Sequence, residues 1–199
     1  MTRTKYWNDL AKTNDLDTLA KAINSTWVPQ VRKYAWRIPV NPAALEMIGG
    51  RRKCLDFGCG LGRNFEYLQG VFEDVKGYDL TEVINKASTV VQGDLTSDWS
   101  NASSKIYDLV YACNTIEAMD IDDFNEKIKD IGTISRYFYV VTRAYTDQGR
   151  NFEKKSGGMN VAVLINSTNL FEPVWSNIDM NMAMCLNDDT EYHVLYKTK

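Results

Sequence analysis

Apolar positions along the chain follow two rhythms. Leu16, Leu19, Ala20 and Ile23 recur at helical spacing behind Asn14 and Asp15, either of which suits a helix cap. A second helix opens on Asn41 as cap with Pro42 in its first position, and Gly49 stops it. Beyond residue 52 the rhythm changes. Short apolar runs without alternation predict strands at Lys53–Phe57, Val75–Asp79, Thr89–Gly93, Ile106–Cys113 and Tyr137–Thr142. Helical stretches separate them: Leu61, Phe65 and Leu68 share a face ahead of Gly70, Thr81–Ala87 follows, and Ile121, Phe124, Ile128 and Ile131 end at Gly132. Asp120, Asp122 and Asp123 at the start of this last helix, with Lys127 and Lys129 near its end, suit the helix dipole. Met182–Leu186 and His193–Lys197 around Asn187-Asp188-Asp189 predict a closing antiparallel hairpin.

Strands without alternation are buried on both faces, and strands that alternate with helices form a parallel sheet covered on both sides. The predicted fold class is therefore α/β: a doubly wound, mostly parallel sheet with an antiparallel C-terminal hairpin over residues 53–199. Residues 1–52 form a helical N-terminal extension of the same domain. The weak point is Arg143–Asn160, which is polar, holds Gly149, Gly157 and Gly158, and reads equally as a functional loop or a plain one.

Composition changes this picture little. The 199 residues are 44% hydrophobic and 25% charged, which is ordinary for a globular domain. Twenty-three Lys and Arg against 26 Asp and Glu leave a net charge of −3, which argues against a protein that coats nucleic acid. The four cysteines are scattered and His193 is the only histidine, so neither a disulfide framework nor zinc spacing is expected, and no metal. No apolar run approaches the ~20 residues that cross a bilayer, and the N-terminus has no signal-like apolar stretch, so the expectation is a cytoplasmic protein without membrane contact.

The candidate chemistry lies in Asp56-Phe57-Gly58-Cys59-Gly60-Leu61-Gly62-Arg63-Asn64, where glycines alternate between a predicted strand and a predicted helix. Glycines serve there if the backbone turns sharply against a ligand, and a helix start offers free N–H groups to an anion. The dinucleotide pattern G-x-G-x-x-G fails because position 63 is Arg63, and no Gly-Lys-Ser/Thr follows for a Walker loop. Asp79 lies 21 residues beyond Gly58, near the ~20-residue offset at which an acid meets a ribose, and its carboxylate can accept both hydroxyls.

These residues resemble the class I S-adenosylmethionine-dependent methyltransferases, whose first motif is an acid, an apolar residue and G-x-G-x-G. The likeness continues through Gly77-Tyr78-Asp79-Leu80, Gln92-Gly93-Asp94-Leu95 and Tyr107-Asp108-Leu109-Val110-Tyr111-Ala112-Cys113-Asn114, over about residues 53–118. The resemblance implies a seven-stranded doubly wound sheet and S-adenosylmethionine as cofactor. It implies that Asp94 takes the adenine amine with Leu95 against the ring, and that Leu80 lines the site beside Asp79. It gives Asp56 the turn backbone or the cofactor amino group, counts Gly58 and Cys59 among the cofactor contacts, turns the helix start at Gly60–Asn64, with Gly60, Gly62 and Asn64, toward the methionine end, and has Asn114 close that side. Arg63 reads as a solvated helix residue, with a carboxylate contact as its alternative.

Methyl transfer from a sulfonium is an in-line displacement, so alignment supplies much of the acceleration. Many small-molecule members of the family end the segment after the fourth strand in Leu-Glu-His. Here it is Thr115-Ile116-Glu117-Ala118, with no histidine, which leaves Glu117 as a weak catalytic candidate and makes an acceptor that is already nucleophilic more attractive. The expected activity is methylation of a small molecule. An RNA acceptor stays open because Arg32, Lys33, Arg37, Arg51, Arg52 and Lys53 are locally basic, a protein acceptor is the other alternative, and the missing histidine leaves room for a catalytically silent module that keeps the fold. Tyr6, Trp7, Trp27, Tyr34 and Trp36 either face the site or glue the N-terminal helices to the sheet.

Overall fold

The computed structural model of the chain describes residues 3–12, 38–81, 83–87, 92–116, 119–143, 165–177 and 191–199. Seven strands form one sheet in the order β3-β2-β1-β4-β5-β7-β6. They are β1 (Lys53–Phe57), β2 (Asp74–Tyr78), β3 (Asp94–Thr96), β4 (Tyr107–Cys113), β5 (Ser135–Arg143), β6 (Phe171–Ser176) and β7 (Glu191–Thr198). The first five run parallel, and β7 lies antiparallel to both β5 and β6. The described helices are α1 (Arg3–Ala11), α2 (Pro42–Met47), α3 (Phe65–Gln69), α4 (Ile84–Ala87), α5 (Trp99–Ala102) and α6 (Ile121–Ile134). None of them is long and apolar enough to cross a membrane.

The absence of alternation in the strands has the expected cause. All seven residues of β4 are buried, because helices cover both faces of the sheet. On one face Phe124, Ile128, Ile131 and Ile134 of α6 pack with Val110, Phe138, Val140 and Val194. On the other, Ala44 and Ile48 join Phe65 and Leu68 of α3 over Cys54, Leu109, Tyr111 and Tyr139. Each fully buried Ile or Phe contributes ~1.5–3 kcal/mol relative to its exposed state, so the two apolar layers fix the sheet between them. Helix α2 starts as its sequence dictates: Pro42 is in the first turn and the Asn41 side chain accepts from the Ala43 N–H at 2.9 Å.

Several expected elements are displaced. The third strand is Asp94–Thr96; Gln92 and Gly93, the described residues of the expected Thr89–Gly93, lie outside it. Its register is set by its neighbour: Asp94 ion-pairs with Lys76 at 2.8 Å, and Leu95 fits against Gly77, where a Cβ would come within 2.5 Å of Leu95 Cδ2. The last strand pairs with β5 and with β6, so both its edges are filled and its outer partner is Phe171–Ser176 instead of Met182–Leu186; residues 182–186 lie outside the described ones. Helix α6 runs through Gly132 because Ile131 and Ile134 both bury on the sheet. Helix α4 begins at Ile84, since Thr81 is held by Asp79. Helix α1 falls within the stretch expected to be helical, ahead of the helix expected at Leu16–Ile23, which lies outside the described residues.

Candidate functional site

The strand order reverses between β1 and β4, and open α/β sheets bind ligands in the crevice outside the carboxyl ends of the strands at such a point. The glycine turn leaves β1 there. The Gly58 and Cys59 N–H groups both donate to the Tyr78 carbonyl, at 2.7 and 3.0 Å, which ties the turn to the end of β2. Gly58, Gly60 and Gly62 have φ of 73°, 54° and 78°, so the chain stays out of the right-handed helix until Phe65, and the helix start expected at Gly60–Asn64 is a series of turns. The need for glycine at 58 comes from the protein itself: a Cβ there would lie 2.1 Å from Cγ2 of Thr115, whose hydroxyl donates to the Gly58 carbonyl.

Asp79, just beyond β2, closes the turn. Its Oδ2 accepts from the Gly60 N–H at 2.9 Å, and its Oδ1 accepts from the Thr81 N–H and hydroxyl at 2.9 and 2.7 Å. Burial pushes the carboxyl above its ordinary range, and the Thr81 and Gly60 donors pull it back. Asp56 lies beneath the turn, 2% exposed, with Oδ2 buried and without a partner. Burial pushes its carboxyl up to about 7, with Arg63 acting against the rise and Asp79 adding to it. On the β4 side, Asn114 holds a positive φ of 53° and donates its N–H to the Val141 carbonyl, while its side-chain Oδ1 is buried without a partner.

Gly58, Cys59, Gly60, Gly62, Asp56, Asp79 and Asn114 thus gather around one crevice. The other expected site residues stand differently. Asn64 turns away, its Oδ1 accepting from the Ile38 N–H at 2.9 Å. Asp94 opens β3 level with Lys76 and is engaged by it, below the carboxyl edge of the sheet where Asp79 lies. Leu95 follows it and faces Gly77. Leu80 is half-buried against the α6-side core. Glu117, Trp27, Tyr34, Trp36 and residues 144–160 lie outside the described residues. Burial, with the carboxylates of Asp56 and Asp79, pushes the Cys59 thiol well up, which suits packing and not nucleophilic chemistry.

Three features escaped the sequence. Arg63 is not a solvated helix residue: its Nη2 donates to the Cys113 sulfur at 3.3 Å, spanning from the turn to the end of β4. Thr81 is part of the Asp79 knot, a contact that an Asp two residues before a Thr signals in retrospect. A polar strap also ties the segment ahead of α2 to the sheet: Tyr111 donates to the Ile38 carbonyl at 2.6 Å, the Asn41 N–H donates to the Tyr139 hydroxyl at 3.1 Å, and that hydroxyl lies 2.9 Å from Nδ1 of His193. Of the basic run, Arg32, Lys33 and Arg37 lie outside the described residues. Arg52 and Lys53 donate their backbone N–H groups to Asp108 Oδ2 at the amino end of β1, opposite the glycine turn.

Residues 30–177 match the model of a family described as methyltransferase domain. Among solved structures, magnesium protoporphyrin IX methyltransferase of Synechocystis PCC 6803, crystallised with bound S-adenosylmethionine, aligns over 100% of this chain and 98% of its own at a TM-score of 0.62 and 12% identity. The N-methyltransferase NodS of Bradyrhizobium japonicum WM9, in complex with S-adenosylhomocysteine, aligns over 100% and 99% at 0.62 and 12% identity. TehB of Haemophilus influenzae aligns over 90% of this chain and 67% of its own at 0.55 and 16%. At such identities the likeness is one of fold. No curated protein sequence matches the chain. The sheet order seen here and a family match that takes in the glycine turn and the first six strands agree, and the chain belongs to the methyltransferase domain family.

Proposed function

We propose that the protein is an S-adenosylmethionine-dependent methyltransferase that acts on a small molecule. The observation that carries the reading is the pair of buried, unpartnered acceptors, Asp56 Oδ2 on β1 and Asn114 Oδ1 just beyond β4, one on each side of the crevice. A buried acceptor without a donor costs ~1–3 kcal/mol, more when charged, and a ligand carrying an ammonium removes that cost. The residues therefore fit a cofactor whose adenosine lies toward β2 and whose amino-acid end lies toward β4. Asp79 holds three internal donors out of the about four that a carboxylate accepts, which leaves room for a ribose hydroxyl.

When bound, the cofactor supplies an electrophilic methyl group on a cationic sulfur. The chain's part is to hold and align. The Asp79 knot fixes the turn, Asp56 seats the ammonium, Asn114 bounds the β4 side, and the acceptor approaches over the ends of β4 and β5. No described residue is assigned as a base, so alignment of an acceptor that is already nucleophilic is the proposed source of rate. Support for a small acceptor comes from the protoporphyrin methyltransferase neighbour and from Arg52 and Lys53, which stand at the far end of β1 from the crevice. Residues 38–48, seated on the sheet by their buried side chains, count as part of the same domain.

Calorimetry with S-adenosylhomocysteine tests the cofactor assignment. The wild type should bind, and Asp79→Ala should weaken binding at least about tenfold, the loss expected for a charge-assisted hydrogen bond. Melting curves without ligand report separately what the turn loses. Unchanged affinity in the variant contradicts the ribose contact. A labelled-methyl screen across metabolite, protein and RNA pools tests the acceptor class, and label confined to protein or RNA would overturn the small-molecule reading.

A further inference from the structure

The sheet carries the chain's single histidine to the side of the crevice where the acceptor was placed. Strand β7 runs antiparallel to β5, so its first residues lie at the carboxyl edge of the parallel strands. There His193 stands opposite Val141, and Val141 stands beside Cys113 at the end of β4. Residues paired across neighbouring strands share a face, so Cys113, Val141 and His193 form one row on the α3 side of the sheet. The Val141 carbonyl accepts from the Asn114 N–H at 2.8 Å, which ties this row to the residue on the β4 side of the crevice.

The ring of His193 is half-buried and set in place. Its Nδ1 lies 2.9 Å from the Tyr139 hydroxyl, the two rings meet edge to face at 5.9 Å, and the His193 backbone N–H donates to Asn177 Oδ1 at 2.8 Å. The Tyr139 hydroxyl accepts from the Asn41 N–H at 3.1 Å and has one proton of its own. Given to Nδ1, that proton leaves the neutral ring with its hydrogen on Nε2, on the side turned away from Tyr139. A donor fixed at this edge selects what it can receive. An amine meets it with hydrogens of its own, whereas a carboxylate has only acceptor oxygens, attacks without losing a proton, and can be held by one oxygen while the other faces the methyl group. Being uncharged, the donor draws less electron density from the nucleophile than a cation would.

Resting on the cofactor reading above, we propose that the acceptor is a small carboxylic acid held by one carboxylate oxygen on His193 Nε2–H, with Tyr139 as the positioning residue that fixes the tautomer. In the step, a lone pair of the second oxygen forms the bond to the methyl carbon and the methyl–sulfur bond breaks with its electron pair left on sulfur. The products are a methyl ester and S-adenosylhomocysteine, and no proton moves.

The test supplies methyl-labelled S-adenosylmethionine and a small-molecule cell extract. The wild type should give a product whose label leaves as volatile methanol in mild alkali, as that of a methyl ester does; label that alkali does not release overturns the acceptor class. His193→Phe keeps a ring and loses the donor, and should need at least about tenfold more extract for half-maximal rate, the loss expected for a hydrogen bond to a charged group. His193→Gln keeps an N–H in the place of Nε2 but cannot serve as a base, and should stay within about threefold of wild type, on the same scale. Equal damage in both variants overturns the donor role. So does a fall in calorimetric affinity for S-adenosylhomocysteine in His193→Phe, since the ring would then be a strut of the cofactor site. Because the chain has one histidine, a nitrogen–proton correlation spectrum reads its tautomer without ambiguity. The wild-type ring should carry its hydrogen on Nε2, and Tyr139→Phe should mix the two tautomers; a wild-type ring with its hydrogen on Nδ1 overturns the assignment. A wild type that binds S-adenosylhomocysteine and labels nothing in the extract refutes the carboxylate acceptor and leaves the cofactor reading standing; a wild type that does not bind it refutes both.

Discussion

Asp56→Asn should make the ligand-free protein more stable at neutral and alkaline pH. The carboxyl is 2% exposed, its Oδ2 has no partner, and its proton affinity is raised from the ordinary value near 3.8 to about 7. Each tenfold change in proton affinity is worth ~1.4 kcal/mol, so holding this group ionised above pH 7 costs the fold about 4 kcal/mol relative to a carboxylate in water. The sign follows from proton counts. Below 3.8 the group is protonated in folded and unfolded chains alike, and between 3.8 and 7 the unfolded chain has lost a proton that the folded one keeps, so stability falls as pH rises. Between pH 5 and 8 the wild type should therefore lose about 3 kcal/mol relative to Asp56→Asn, a gap of roughly 6–12 °C in melting temperature for a chain of this size. The difference between the two proteins isolates Asp56 from the other carboxylates, which titrate in both. Urea denaturation at pH 5, 6, 7 and 8 reads it directly. A difference that stays flat across that range would show that the buried carboxyl is not strained, and the ammonium seat would lose its support. The same variant should bind S-adenosylhomocysteine more weakly at pH 8, because it trades a charge for the amide that suits the empty protein.

Two further outcomes test the architecture around the site. Ile38 has both backbone polar groups held by side chains, its N–H by Asn64 at the start of α3 and its carbonyl by Tyr111 of β4, so Tyr111→Phe and Asn64→Ala should each cost ~1–3 kcal/mol in urea denaturation. Because they free opposite sides of one residue, the double variant should cost less than the two single losses combined, and strict additivity would show the strap held elsewhere. Gly58→Ala combines a positive φ with a methyl group driven into Thr115, and should lower stability by about 2–4 kcal/mol; a melting temperature within 2 °C of wild type would contradict the geometry of the turn.

The residue pattern alone dictates the layering. Strands β1 and β4 carry apolar residues on both sides of the pleat, and such a strand has no stable place except between two helical layers. It also determined the turn: three glycines between a strand and a helix dictate a backbone that no helix can continue, and Asp79 follows at a spacing that topology brings beside it. The folded chain is needed wherever a partner comes from another element. The register of β3 depends on Lys76 and Gly77 of its neighbour, the outer partner of β7 is a strand holding Pro173 that no apolar run announces, and Asp94 finds its ion pair in Lys76 of β2. Local sequence makes Arg63 a helix residue, gives Thr115 no partner and makes Asn64 a ligand contact. Their side chains instead meet Cys113, Gly58 and Ile38, residues 50, 57 and 26 positions away, because a side chain's partner is fixed by the strand order that folds the chain around it and not by the residues beside it in sequence.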